Sequence, residues 1–290
     1  MVIKKRVIFF MIVSVSIFLL LNSGASSSEN VIKIMSFNLR YGTAPDGANH
    51  WNNRKEILVN AIKQYSPDLI GSQECLEFQA KFIEKSLPEY SWLGRGREKA
   101  DEGERVAVFY KKDKWEVVEE KYFWISETPE EPGSKSWDSS CPRIVTFLKL
   151  RDKVRDRLMY FVNVHLDHKG EVARKKGAEM IVNRLKGVND KLATIITGDF
   201  NAPAEISEPW KIFVENGYKD AWVNASQRRG PVSTWCGFKG PDYESNNRID
   251  WILFKGNFDV VECETVLYSE NGKYPSDHFP VLAVFKILED

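Results

Sequence analysis

Residues Thr194-Ile195-Ile196-Thr197-Gly198-Asp199-Phe200-Asn201 run from a β-branched apolar stretch straight into a carboxylate and an amide. A short run that is apolar on both faces reads as a strand covered on both sides. The same layout recurs along the chain. Ile32-Lys33-Ile34-Met35-Ser36-Phe37 ends in Asn38, and Leu69-Ile70-Gly71-Ser72-Gln73 ends in Glu74. Phe161-Val162-Asn163-Val164 leads to His165, Asp167 and His168. Arg248-Ile249-Asp250-Trp251 sets an acid inside a strand-like run, and Ser276-Asp277-His278-Phe279-Pro280 puts an acid and an imidazole just before the last strand. Polar groups collected at one end of a sheet can converge on one ligand.

Singly, each has a plain structural reading. Asp199 and Asn201 can form an Asx turn, Asn38 can cap a turn, Glu74 can open a helix, and Asp277 can close a turn. Their joint occurrence points to a site. Asp250, set among Ile249, Trp251, Ile252 and Leu253, would be costly to bury alone and calls for a partner such as a histidine.

Outward from these runs, strands are expected over residues 31–39, 68–73, 105–110, 115–125, 143–150, 157–166, 193–197, 248–254, 258–268 and 280–287. Helices are expected over 53–65, with Ile57, Leu58, Ala61, Ile62 and Tyr65 on one face, and over 171–188, with Ala178, Ile181, Leu185 and Val188. Few segments form pure strand–helix–strand units, and the later part is rich in strands. The class is therefore α/β, two packed mixed β-sheets flanked by helices. Gly94-Arg95-Gly96-Arg97 lacks the later glycine of a phosphate-binding loop.

The 290 residues, 43% hydrophobic, can fill a sizeable core. Lys4-Lys5-Arg6, an almost wholly apolar stretch from Val7 to Leu21, and a small polar stretch read as a secretory signal peptide over residues 1–25, cut after Ala25. The alternative is an uncleaved anchor, for which fifteen apolar residues fall short of the roughly 20 that span a bilayer. Residues 26–290 then form one exported domain, secreted, periplasmic or tethered. Beyond residue 25 there are 38 basic and 41 acidic groups, which disfavours broad, non-specific duplex binding. Cys75, Cys141, Cys236 and Cys263 are widely spaced; they read as disulfides or free thiols with no part in chemistry.

Phe37-Asn38-Leu39-Arg40, Gln73-Glu74, Asn163-Val164-His165-Leu166-Asp167, Gly198-Asp199-Phe200-Asn201, Arg248-Ile249-Asp250 and Ser276-Asp277-His278-Phe279-Pro280 resemble, in order, the motif set of the endonuclease/exonuclease/phosphatase superfamily. That superfamily includes deoxyribonuclease I, exonuclease III, the inositol polyphosphate 5-phosphatases, neutral sphingomyelinases and deadenylases. The resemblance implies a four-layer α/β sandwich of the deoxyribonuclease I-like kind and metal-dependent cleavage of a phosphate ester. His50-Trp51-Asn52-Asn53-Arg54 and the segment from Trp124 through Trp137 to Cys141-Pro142-Arg143 are similar to an exported, bacterial-type hydrolase branch.

On this reading Asn38, Glu74 and Asp277 form a hard oxygen site for Mg²⁺ or Mn²⁺. The resemblance sets Asp199 near the nucleophilic water and Asn201 on the phosphoryl group. His278 oriented by Asp250 acts as base or cationic phosphate ligand, and His165 stabilises developing charge. Arg143, Arg174 and His168 are candidate substrate contacts. Trp51, Trp124, Trp137 and Trp235 could stack on a ring, most of them being expected in the core or at its rim. The expected function is an exported, metal-dependent phosphoesterase of the phosphodiesterase type. Its substrate is a small molecule, a lipid head group or a nucleic acid, and the chain is a monomer without an obligate protein partner. A secreted nuclease is the alternative, with Arg95, Arg97, Lys99, Arg105 and Arg174-Lys175-Lys176 as local phosphate tracks. A non-catalytic phosphate-binding module is a second, opposed by the presence of every expected catalytic group.

Overall fold

The structure is a computed structural model and describes residues 30–188, 191–241 and 247–288; the expected signal segment, residues 1–25, lies outside them. The strands are β1 Val31–Asn38, β2 Leu69–Gln73, β3 Tyr90–Leu93, β4 Val108–Lys111, β5 Trp115–Trp124, β6 Ile144–Asp152, β7 Arg157–His165, β8 Ala193–Asp199, β9 Lys219–Asp220, β10 Gln227–Arg229, β11 Asp250–Lys255, β12 Phe258–Thr265 and β13 Val281–Ile287. The helices are α1 Trp51–Tyr65, α2 Glu77–Ser86, α3 Glu171–Lys186, α4 Glu208–Glu215 and α5 Ala221–Asn224.

Two mixed sheets result. One has the order β10-β12-β13-β1-β2-β4-β3 and the other β5-β6-β7-β8-β11-β9. Their inner faces enclose Ile34, Leu69, Val108, Leu148, Phe161, Ile195, Ile252 and Phe285. Outside the first sheet, Leu58 and Ile62 of α1 and Ala80 and Ile83 of α2 pack on Met35, Phe37 and Phe109. Outside the second, Ala178, Ile181 and Leu185 of α3 and Phe213 of α4 pack on Val162, Val164, Ile196 and Leu253. The four layers are helix, sheet, sheet, helix, as expected.

The apolar interior is interrupted at one place. Asn163, fully buried on β7, donates Nδ2 to the carbonyls of Ser72 (2.8 Å) and Ala107 (3.0 Å) in the facing sheet. Its Oδ1 accepts from Gln73 Nε2 (2.8 Å) and from the Thr197 hydroxyl (3.1 Å). This approach requires Gly71: a Cβ there would lie 1.9 Å from Thr197 Oγ1 and 2.7 Å from Asn163 Oδ1.

Most strands form where expected. The strand expected from residue 105 begins only at Val108, because Arg105 turns aside to bridge Cys75 and Gly96. Helices α2 and α4 and the short strands β3, β9 and β10 were not anticipated; β9 and β10 have two and three residues, too few for a periodic signal. All four cysteines are free, and burial pushes the Cys75 and Cys236 thiols up to about 12.

Asn163→Ala leaves the Gln73 amide and Thr197 hydroxyl without their shared acceptor in a dry interface, which costs about 3 kcal/mol. Urea unfolding is expected to show a lower midpoint at unchanged slope; a midpoint equal to that of the parent would refute the clamp.

Candidate active site

Strand register assembles the site. In the parallel pair β7–β8, His165 lies opposite Asp199, and in the antiparallel pair β8–β11, Asp250 lies on the other side of Asp199. In the facing sheet Asn38 pairs with Gln73, the residue before Glu74. Arg40, Glu74 and Asn201, just past the ends of β1, β2 and β8, have φ of 55°, 55° and 48°. This left-handed conformation costs of order 1 kcal/mol per non-glycine residue, and such strain clusters at functional sites. It turns each chain sharply at the rim of the sheet.

The result is a pocket of about 480 Å³ lined by Glu74, Arg143, His165, Asp199, Asn201 and His278, with Arg40, Tyr41, Arg97, Glu104, Cys141, His168, Trp235 and Asp277 completing its wall. His278 Nδ1 meets Asp250 Oδ2 at 2.9 Å, and its Nε2 lies 3.9 Å from Asp199 Oδ2. His165 Nε2 is 3.4 Å from the same Asp199 oxygen. Asn201 donates its backbone N–H to Asp199 Oδ1 (2.9 Å) and one side-chain N–H to the Leu166 carbonyl (3.0 Å), leaving its second side-chain N–H for the pocket.

Burial separates the charge states of these groups. Burial disfavours the charge on His278, but the carboxylates of Asp250, Asp199 and Asp277 outweigh it and hold the imidazolium well above the ordinary histidine range. His165 moves the other way: burial, with the Arg143 and Arg97 guanidinium groups, drives it well below that range. Burial and the Asp250 carboxylate push Asp199 up to about 7, partly offset by His278. At neutral pH the site therefore carries one charged and one neutral imidazole beside a carboxylate of basic strength suited to proton transfer.

The other expected residues divide. Arg143, buried to 4% exposure, lines the pocket; its Nη2 meets His168 Nδ1 at 3.0 Å, its Nε lies 3.5 Å from Asp167 Oδ2, and its Nη1 has no hydrogen-bond partner. His168 is exposed on the same wall. Asp167 holds this wall together: its Oδ2 accepts from the hydroxyls of Ser139 (3.1 Å) and Ser140 (2.7 Å), and its Oδ1 from Gly170 N–H (2.8 Å). Arg174, expected as a substrate contact, is not brought to the pocket. It lies outside the pocket lining and gives Nη1 to the Asp167 carbonyl (2.9 Å). Trp51 and Trp124 are core residues, and Trp137 packs against the α3 face, leaving Trp235 as the ring in the pocket.

Asn38, expected as a metal ligand, gives Nδ2 to Glu74 Oε1 (3.1 Å) and Asp199 Oδ2 (3.0 Å), while its oxygen accepts from Arg40 N–H (2.9 Å). So placed, its amide aligns two carboxylates, and its oxygen keeps a second lone pair beside the one that Arg40 N–H takes. Glu74 and Asp277 do fit a hard cation. Both line the pocket; burial raises Asp277 and Glu74 adds to it, while His278, Arg40 (Nε at 3.7 Å) and Arg54 offset part of the rise. Two oxygen donors that repel each other in one pocket suit Mg²⁺ or Mn²⁺. A second cluster, Cys141, Asp167 and His168, also brings ligand atoms within 4.8 Å, but Arg143 already occupies the His168 Nδ1 lone pair.

Several positioning residues escaped the sequence reading. Arg54, 1% exposed, donates to the carbonyls of Leu39 (2.6 Å), Arg40 (2.7 Å) and Pro275 (2.8 Å), tying the loop after β1 to the one that carries Asp277. Burial lowers its pKa to about 10. The available signal was an arginine within the apolar stripe Trp51, Arg54, Leu58, Ile62 of α1. Thr234 Oγ1 accepts from the N–H groups of Ile249 and Asp250 (both 3.1 Å), and its carbonyl accepts from Phe279 N–H (2.7 Å). No pattern marks such a threonine. Arg97, read from the sequence only as part of a phosphate track, pairs in the pocket wall at 2.8 Å with Glu104, which no pattern marks.

Histidine NMR tests these opposed charge states among the four histidines of the chain. His278 is expected to stay charged above pH 7, and His165 to stay neutral below pH 6. Asp250→Asn removes the anion that most strongly raises His278, so its titration must fall towards the ordinary value of about 6.5; an unchanged His278 titration would show that the dyad does not set its charge.

Comparison with known proteins places this geometry. Residues 35–278 match the Endonuclease/Exonuclease/phosphatase family. A solved endonuclease/exonuclease/phosphatase from Bacteroides vulgatus is 33% identical with a TM-score of 0.84, covering 89% of this chain and 99% of that one. The mannosyl-6-phosphatase of Bacteroides thetaiotaomicron is 32% identical with a TM-score of 0.82, covering 88% and 99%. An uncharacterized protein of Acanthamoeba polyphaga mimivirus is 28% identical in an alignment that covers 59% of this chain and 67% of the viral protein. The chain belongs to the endonuclease/exonuclease/phosphatase family of phosphate-ester hydrolases.

Proposed function

We propose that the chain is an exported, divalent-metal-dependent phosphoesterase that hydrolyses a small phosphate ester, a phosphorylated sugar being the favoured class. The observation that carries the reading is the convergence of Glu74, Asp277, Asp199, His165, Asn201 and His278 on one pocket.

Glu74 and Asp277 would hold Mg²⁺ or Mn²⁺, which when bound draws in the phosphoryl oxygens and offsets their charge. Asp199 takes the proton of the attacking water. Its carboxylate is fixed by Asn38 Nδ2 and Asn201 N–H and poised by burial to accept a proton near neutrality. His278, charged and held by Asp250, donates from Nε2 to a phosphoryl oxygen. His165 and the free N–H of Asn201 add neutral hydrogen bonds where charge develops. Arg143, whose Nη1 has no hydrogen-bond partner, clamps the non-reacting oxygens.

Small substrates are favoured over polymers because several of the basic groups suggested as phosphate tracks are engaged by other side chains. Arg95 lies over Trp124, Arg97 pairs with Glu104, Arg105 with Glu77 and Asp101, and Lys176 with Glu179. The 32% identical mannosyl-6-phosphatase favours a sugar monoester over the diester expected from sequence. Export rests on the charged, apolar and small-polar layout of residues 1–25.

The test is hydrolysis of p-nitrophenyl phosphate, bis-p-nitrophenyl phosphate and mannose 6-phosphate with Mg²⁺, with Mn²⁺ and with EDTA. Monoester cleavage should exceed diester cleavage and vanish with EDTA. Asp199→Asn should lower kcat by about 10²–10⁴. Full activity in EDTA would remove the cation from the reading, and an undiminished Asp199→Asn would remove the base.

A further inference from the structure

The catalytic pocket occupies one end of the two sheets, and the other end has no part in it. Strands β1, β7 and β8 begin at that far end, and β6, β11 and β13 finish there. The seven residues of β8 alone set the two ends about 20 Å apart. Residues 111–114, 152–157 and 255–258 together with Lys191 carry eight Lys or Arg against three Asp; of the eight, Lys111 and Lys114 pair with Asp68 and Arg155 with Asp152. Lys112, Lys153, Arg157 and Lys191 are exposed. Val154, between Lys153 and Arg155 at the tip of the β6–β7 turn, is 57% exposed.

Among these turns opens a cleft of about 270 Å³. Trp115, Met159, Phe258 and Ile287 line it, with Arg157 and Lys191 among its charged groups. The preceding chain also joins the fold here: Ile287 N–H donates to the Asn30 carbonyl at 2.9 Å, beside the start of β1. The 29 residues before Asn30 include Lys4-Lys5-Arg6 and the apolar stretch from Val7 to Leu21. Among the described residues no helix is long and apolar enough to cross a membrane.

We propose that this pole docks on an anionic phospholipid surface. Its cations meet headgroup phosphates, and Val154 and the apolar cleft take the hydrocarbon contact. Each Lys or Arg near such a surface contributes about 1 kcal/mol, falling off within a Debye length. A polynucleotide would satisfy the charges but not an exposed valine flanked by cations, nor a cleft floored by tryptophan, methionine and phenylalanine. The chain that precedes the fold enters on the same side, so any tether through it holds this pole against the bilayer. The pocket then opens on the opposite side, towards solutes and away from the headgroups of that membrane. The proposal rests on the two poles of the fold and not on the reaction assigned above.

Both sheets and their helices lie within residues 30–288, so the chain lacking residues 1–25 carries the whole fold and binds without help from the apolar stretch. Co-sedimentation with vesicles of phosphatidylcholine containing about one third phosphatidylglycerol is expected, with little on phosphatidylcholine alone and a fall as salt rises. The combined variant Lys112→Glu, Lys153→Glu and Arg157→Glu should bind roughly a hundredfold more weakly with thermal midpoint and hydrolysis unchanged. Val154→Ser should weaken binding without touching either. Lys99→Glu with Lys169→Glu, near the pocket, should leave binding intact. Equal binding to neutral vesicles, full binding by the combined variant and by Val154→Ser, loss only with the pocket-end variant, or capture of duplex DNA in place of vesicles would each overturn the proposal.

Discussion

The structure depends on one polar clamp inside an otherwise dry interface. Asn163 satisfies both its amide groups against Ser72, Ala107, Gln73 and Thr197, and it can do so only because Gly71 has no side chain to hold the sheets apart. With both amide groups of Asn163 paired, and only Gln73 Oε1 in the cluster left without a partner, any slide of one sheet over the other leaves several groups unpaired. The clamp sits two residues before His165 on β7 and beside Gln73, the neighbour of Glu74 on β2. Fixing it therefore fixes the distance between the half of the site carried by each sheet.

Around that fixed distance the site is a problem in managing buried charge. Asp199, Asp250 and Asp277 are at most 8% exposed, and three carboxylates so placed could not stay ionised without a cation among them. His278 supplies it, and the same carboxylates keep it charged. His165, 3.4 Å from the same Asp199 carboxylate, loses its charge to burial, with Arg143 and Arg97 adding to the effect. Two imidazoles on adjoining walls thus take opposite roles through their surroundings alone. The strained φ values at Arg40, Glu74 and Asn201 belong to the same arrangement, since a strand cannot present a side chain past its own end without a sharp turn. Arg54 and Thr234 hold those turns in place from behind.

The two poles of the fold divide the labour. Chemistry collects where β1, β2, β7 and β8 end, as ligands do in sheets whose polar residues lie beyond the carboxyl ends of their strands. The opposite pole, where the chain enters, keeps an apolar cleft and a surplus of cations that the chemistry does not use. A sheet joins the two rigidly, so what happens to orientation at one pole is passed to the other without any moving part.

The sequence by itself determined the layers and the ingredients. Strands with two apolar faces must be covered twice, which made Thr194 to Thr197 and Phe161 to Val164 legible as the inner strands of a helix-flanked sandwich. A carboxylate as hemmed in by apolar residues as Asp250 must have a partner, and His278 is that partner at 2.9 Å. Tertiary structure alone decided the rest, because those facts depend on groups distant in the chain. Arg174 has the right chemistry for phosphate, yet the loop at Asp167 claims it. Asn38 has the right oxygen for a cation, and the fold gives its amide N–H groups a second task that the sequence does not show, aligning Glu74 and Asp199. Arg97, Glu104 and Thr234 carry no periodic signal, since a loop residue's role is set by what the fold brings against it. Local pattern fixes which surfaces must be buried, whereas hydrogen-bond competition among residues up to 238 positions apart, as between Asn38 and Ser276, becomes defined only once the sheets have met.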